Sequence, residues 1–154
     1  MRPSLEVRVR NARHTDLDAA ARLLARDAED RDAELDVDYL RNLLFVPPAT
    51  VVVAEAERRV VGVGVLAIRP SVRSGPFVGV IDELGLPGAE LATAERRQVA
   101  DEIVEHLAAS ARNKGCTRVE VSEPLASAEP SLWKRHRFAS RGRTLGRSLG
   151  RDIG

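Results

Sequence analysis

The sequence predicts an α/β fold: a central mixed β-sheet with helices on both faces, in the order β-α-α-β-β-β-α-β-α-β. Three stretches predict it. Thr50–Glu55 and Val60–Ile68 are apolar, largely β-branched runs separated by Glu57-Arg58-Arg59, which reads as a hairpin. Phe77–Leu86 reads as a further strand and Cys116–Val121 as another. Between these two lies an amphipathic helix, in which Val99, Ala100, Ile103, Val104, Leu107, Ala108 and Ala111 recur at helical spacing.

The other elements follow in chain order. Leu5–Arg10 alternates apolar and charged residues, the pattern of a strand with one buried face. Thr15 or Asp16 is placed to cap a helix carrying Leu17, Ala20, Ala21, Leu23 and Leu24 on one stripe. A second helix through Tyr39–Leu44 must stop before Pro47-Pro48, because proline lacks the donor and disfavours helix in the residue before it. The unbroken apolar run Val60–Ile68 predicts a central strand covered on both faces. A turn from Pro87 to about Thr93 leads into the amphipathic helix, which Asn113-Lys114-Gly115 closes with a left-handed cap. Ser122–Pro130 reads as a loop, Ser131–Phe138 as a short helix and its exit, and Gly142–Leu149 as a last strand.

A chain of 154 residues with no internal repeat is expected to form one domain, residues 1–154. Its 24 basic and 23 acidic residues nearly cancel, which argues against a dedicated nucleic-acid binder. No apolar run is long enough to span a bilayer, and Met1–Leu5 has no hydrophobic signal core, so the expected location is the cytoplasm. The single cysteine, Cys116, fits that and excludes an internal disulfide. His14, His106 and His136 are scattered, so no metal site is expected.

Five segments together resemble the GNAT superfamily of acyl-CoA-dependent N-acetyltransferases. They are Val9–Asp18, Glu55–Gly64, Ile81–Pro87, Ala111–Cys116 and Leu132–Phe138, similar to the family's opening strand and first helix, central hairpin, fourth strand, third-helix end and late helix. The resemblance implies acetyl-CoA as co-substrate, its pantetheine arm lying between the strands that end near Leu86 and begin at Cys116. Backbone groups of Leu84, Gly85 and Leu86 would line that arm and polarise the thioester carbonyl. It also implies a pyrophosphate resting on the start of the third helix, where unpaired N–H groups and the positive dipole end attract anions. Counted back from Gly115, the family's phosphate motif, Gln/Arg-x-x-Gly-x-Gly/Ala, falls on Glu95-Arg96-Arg97-Gln98-Val99-Ala100. Arg96, Arg97 and Ala100 suit it. Glu95 brings an acid, Gln98 brings a side chain where glycine lets phosphates approach, and the turn from Gly88 to Ala94 is long.

The same resemblance assigns chemistry. An ammonium must lose a proton before it attacks, and Asp82 or Glu83 is the expected base, the two standing on opposite faces of their strand. A salt-bridged strand residue is the plain alternative. Trp133 occupies the place of the family's proton-donating tyrosine; an indole N–H donates a hydrogen bond but not a proton, so Trp133 packs on the pantetheine or simply fills the core. Tyr39 and Asp36 lie where the family's acceptor pocket is lined. Asp36 belongs to an acidic run, Asp27, Glu29, Asp30, Asp32, Glu34, Asp36 and Asp38, which would attract a cationic amine and equally reads as a solvated face. The basic tail from Lys134 to Arg151 is compatible with a homodimer contact. Three functions follow: an N-acetyltransferase acting on a primary amine of a small cationic molecule or peptide, a protein of this fold that has lost acyl-CoA use and serves in binding or assembly, or an acyltransferase using a carrier protein or a longer acyl group.

Overall fold

The computed structural model describes residues 5–27, 37–45, 48–73, 75–88, 91–141, 145 and 147–148. Strand β1 is Arg8–Asn11; one 3-10 turn, His14–Asp16, leads into helix α1, Leu17–Asp27, and helix α2 is Val37–Leu43. Strands β2 (Ala49–Ala56), β3 (Arg59–Pro70) and β4 (Phe77–Gly85) precede helix α3, Thr93–Asn113. Strand β5 is Cys116–Val121, followed by two short helices, α4 (Leu125–Ala128) and α5 (Pro130–Arg135).

The five described strands stand in the order β1-β2-β3-β4-β5. Neighbours are antiparallel from β1 to β4, whereas β4 and β5 are parallel, as the crossover through α3 requires. The hairpin β2–β3 turns on Glu57 and Arg58 alone, both left-handed (φ 51° and 64°), the two-residue turn whose twist matches paired strands.

Two cores lie on the two faces of the sheet. On one, Val52, Ala54, Leu66 and Ile81 pack under the α3 residues Val99, Ile103, Val104 and Leu107. On the other, Val51, Val53, Val63 and Val65 pack under Leu17, Ala20 and Leu24 of α1 and Leu40 of α2. The continuous apolar runs of β2 and β3 are explained by this double cover. Glycine lets α3 approach: a Cβ at Gly64 would stand 2.7 Å from Ile103 Cγ2, and one at Gly62 would stand 2.7 Å from Ile103 Cδ1.

Ahead of α1 the buried Asp16 closes the turn. It accepts the Arg13 N–H at 2.7 Å and a forked pair of bonds from Arg10 on β1, at 2.7 and 3.0 Å. Arg10 also reaches Glu55 on β2 at 2.9 and 3.1 Å. The Arg10 hydrogen bonds hold the Asp16 carboxyl below its ordinary range, against the opposing effect of burial. At the far end of α3, Gly115 takes φ 86°, the left-handed cap expected of it.

Three features depart from the sequence reading. Strand β1 begins at Arg8 rather than Leu5. The stretch Ser122–Pro130 contains α4. The expected last strand, Gly142–Leu149, falls mostly outside the described residues, and Leu145, Arg147 and Ser148 belong to no strand.

Candidate functional site

The site is built where β4 and β5 part. Their pairing runs from Phe77 to Ile81, which faces Val121, and ends with the Ser122 N–H donating to Ile81 O at 3.4 Å. Beyond Ile81, β4 continues to Gly85 with only β3 beside it among the described strands. One backbone edge of Asp82–Gly85 therefore borders a cleft rather than a neighbouring strand. Helices α4 and α5 lie on this side, α4 against β4 and α5 through Leu132 and Trp133 in the same core as Leu84 and Leu86.

A β-bulge presents the acids there. Leu66 pairs with Ile81 and Val65 with Glu83, so Asp82 is an extra residue with no partner on β3. Regular alternation would send Ile81 and Leu84, three residues apart, to opposite faces; both pack in the α3 core because the bulge absorbs one step. Glu83 shares the α1 face with its partner Val65. The regular alternation on which Asp82 and Glu83 were expected to stand on opposite faces is interrupted here: both residues are exposed, and the inserted residue breaks the alternation. Despite that exposure, loss of part of its water pushes the Glu83 carboxyl up from its ordinary range, and the Asp82 charge adds to this.

The residues after the bulge contribute backbone rather than side chains. Leu84 and Leu86 are buried in the α3 core. Gly85 faces α1, where a Cβ would lie 3.0 Å from the backbone of Leu23 and Leu24.

The start of α3 falls where the expected turn from Pro87 to about Thr93 ends. The helix begins at Thr93, so Gln98, Val99 and Ala100 stand beyond its first turn, where N–H groups are bonded within the helix. Val99 and Ala100 are buried against the sheet. Gln98 turns away from the helix start: its Nε2 donates to Leu5 O at 2.6 Å and to Glu102 Oε1 at 3.2 Å. Ala92, the N-cap, supplies no side-chain cap, and the first bonded donor of the turn is the Arg96 N–H, to Ala92 O at 2.9 Å. The N–H groups of Thr93, Ala94 and Glu95 are the ones without an intrahelical partner. Arg97 is exposed beside them. Arg96 is engaged: Nε donates to Pro87 O at 3.1 Å and Nη1 to Glu129 Oε1 at 2.7 Å. Pro87 follows β4 and Glu129 links α4 to α5, so this side chain joins the two lips of the cleft.

These residues fit a phosphorylated, extended ligand in a modified way. The open edge of β4 suits an amide-bearing arm, and the uncapped donors of Thr93–Glu95, flanked by Arg96 and Arg97, suit a phosphate. Gln98–Ala100 do not, since their donors are used and two of their side chains are core.

Trp133 is buried in the α3 core, edge-on to Phe138 with ring centroids 5.4 Å apart. Its Nε1–H donates to Leu125 O at 3.0 Å, so the indole's one donor is committed to the fold. Glu29, Asp30, Asp32, Glu34 and Asp36 of the acidic run lie outside the described residues, as does the Tyr39 side chain, while Asp38 is exposed and paired with Arg41 at 2.8 Å.

Sequence reading missed Glu129, whose pairing with Arg96 joins residues 33 apart and leaves no local pattern. It also missed the ties between α5 and the outer face of α3. Arg135 Nη2 donates to Asp101 Oδ1 at 2.7 Å, while the His136 ring lies between Asp101 and Glu105, each nitrogen 2.8 Å from a carboxylate oxygen. Burial pushes the Asp101 carboxyl up, but the bonds from Arg135 and His136 outweigh it and hold it below its ordinary range. Among the described residues no group of His, Cys, Asp and Glu side chains could hold a metal ion, and no helix is long and apolar enough to cross a membrane.

Solved structures share this architecture. A transcriptional regulator from Bacillus halodurans C-125 superposes with a TM-score of 0.76 at 19% identity, covering 94% of this chain and all (100%) of that one. An aminoglycoside N-acetyltransferase in complex with CoA gives 0.72 at 13% identity, covering 96% and 97%. A ribosomal-protein-alanine N-acetyltransferase from Brucella melitensis biovar Abortus 2308 gives 0.72 at 18%, covering 94% and 100%. At such identities the likeness concerns the fold. No curated protein matches the chain in sequence. The acetyltransferase (GNAT) family model matches residues 17–136, from the first turn of α1 to the end of α5, and by that match the chain belongs to the GNAT family of acetyltransferases.

Proposed function

We propose that this chain is an N-acetyltransferase that moves an acetyl group from acetyl-CoA to a primary amine of a small cationic molecule or peptide. The observation that carries the reading is the Asp82–Glu83 bulge at the point where β4 leaves β5, which sets two exposed carboxylates beside an open backbone edge. Acetyl-CoA, when bound, supplies the activated thioester carbonyl. Glu83 takes the proton of the substrate ammonium; partial loss of water raises its carboxyl above the ordinary range, which makes it a stronger base than an ordinary glutamate. Asp82 adds negative charge that attracts a cation. The N–H groups along Leu84–Leu86 orient the carbonyl. The thiolate leaves without a proton from Trp133, whose N–H is held by Leu125 O.

Calorimetric titration with acetyl-CoA tests cofactor use, and no heat at millimolar ligand would refute it. Glu83→Gln tests the base: kcat/KM toward a polyamine or peptide amine should fall by about 100-fold, in the range of lost general-base catalysis. The acid limb of the wild-type profile should lie above the ordinary glutamate value, because protonated Glu83 accepts no proton, and the variant should lack that limb.

A second reading has one observation in its favour. Arg96 and Gln98, both at the expected phosphate motif, are bonded within the protein. In that reading the chain binds or assembles without acyl-CoA, and replacing Asp82 and Glu83 together leaves its biological activity intact.

A further inference from the structure

We propose that Arg96 and Glu129 form a latch across the cofactor cleft, opened when a pyrophosphate-bearing ligand takes the guanidinium from the carboxylate. The inference rests on the acyl-CoA reading above and adds regulation of that site.

Arg96 is the fourth residue of α3, one position past the three N–H donors that lack intrahelical partners. Its guanidinium is within a side chain's reach of any anion seated on them. It points instead along the cleft mouth, bonded to Pro87 O on the β4 lip and to Glu129 on the α4–α5 lip. Both partners of the ion pair are partly open to solvent, at 35% and 29% side-chain exposure, so water and ligand can reach it. An exposed pair of this kind is weak, and a doubly charged phosphate group competes well for the same cation. Arg97, exposed and one residue on, keeps positive charge at the mouth while the latch is shut.

Glu129 is suited to let go. It stands between two short helices, at φ −138° and ψ 68°, outside the regular backbone of both. Losing Arg96 frees a carboxylate that water can solvate rather than one trapped in a core. The latch therefore weakens ligand binding by a small factor and keeps the empty cleft closed.

The test is calorimetry of the full chain with CoA, using wild type, Glu129→Gln, Arg96→Ala and the double variant. Glu129→Gln keeps the shape and removes the charge that holds Arg96, so CoA should bind about 3- to 5-fold more tightly, the scale of one exposed ion pair. Arg96→Ala should bind more weakly than wild type. In the Arg96→Ala background, Glu129→Gln should bring no gain. The Arg96 Nη1 resonance, from the nitrogen bonded to Glu129, gives a readout independent of turnover: its signal should move on adding CoA to wild type and should already be moved in Glu129→Gln without ligand. CoA binding by Glu129→Gln alone also supports the latch. Equal affinities of wild type and Glu129→Gln, or an equal gain with and without Arg96, overturn the latch while leaving acyl-CoA use standing. Absence of CoA binding by all four proteins overturns both.

Discussion

Removing the charge of Asp16 is the sharpest test of how the first helix is held to the sheet. Asp16 is 6% exposed and accepts three bonds, two from Arg10 and one from the Arg13 N–H. In Asp16→Asn the volume stays and the negative charge goes. Arg10, 16% exposed at its side chain, then faces an amide and keeps only Glu55, itself 33% exposed. Breaking a buried pair by removing one partner costs about 3–5 kcal/mol, and the surviving Glu55 contact places this case at about 3 kcal/mol. For a chain of this size that is a fall in Tm of roughly 6–12 °C. The pH dependence has a definite sign. Asp16 has a depressed pKa when folded, so its contribution is fully present above the unfolded value and is lost as pH falls through the folded one. Urea titrations of both proteins should differ by a constant amount above about pH 4 and converge in stronger acid. Glu55→Gln, at the exposed end of the network, should cost less than about 1 kcal/mol. An Asp16→Asn stability within about 0.5 kcal/mol of wild type, or a difference that persists unchanged in acid, would refute the assignment of this network as a structural tie.

Two further substitutions probe packing and backbone. Gly64→Ala should lower the urea midpoint by the equivalent of about 1–3 kcal/mol, because the new Cβ meets Ile103 at 2.7 Å and Leu107 at 3.0 Å, both fully buried; an unchanged midpoint would mean α3 lifts freely. Arg137→Gly should raise thermal stability by about 0.5–1 kcal/mol. Arg137 holds φ 68°, a left-handed conformation costing an L-residue about 1–2 kcal/mol, and the greater freedom of glycine in the unfolded chain returns part of that. A loss of stability would show that the Arg137 side chain anchors the end of α5.

The elements with strong periodicity were legible in the sequence. Thr50–Glu55 read as a β-branched strand and Val60–Ile68 as a strand covered on both faces, and the stripe from Val99 to Ala111 ending at Gly115 read as a helix on such a sheet; the two cores bear these out. The bulge at Asp82 was not legible, because two adjacent acids read as one step of an ordinary alternation. Only the pairing of Ile81 with Leu66 and Glu83 with Val65 shows the extra residue. Helix α4 escaped because four residues, Leu125–Ala128, are too few to display a period. The Arg96–Glu129 pair escaped because no local pattern connects residues so far apart in the chain.

The start of α3 shows how one absent residue type reshapes a site. Counting back from Gly115 puts the phosphate motif on Glu95–Ala100, and a glycine at position 98 would halt a helix growing toward its N-terminus. Gln98 does not. With Ala94, Glu95, Arg96 and Arg97 it forms an unbroken run of good helix formers, each favoured over glycine by roughly 0.5–1 kcal/mol, so the helix extends back to Thr93. That extension has two consequences from one cause. The donors left without intrahelical partners move from the motif to Thr93–Glu95, and Arg96, which the motif would place ahead of the helix, becomes a residue of its first turns. There its side chain reaches Pro87 and Glu129 together. The helix that runs through the motif is therefore also what brings the Arg96 guanidinium to Pro87 O and Glu129 together.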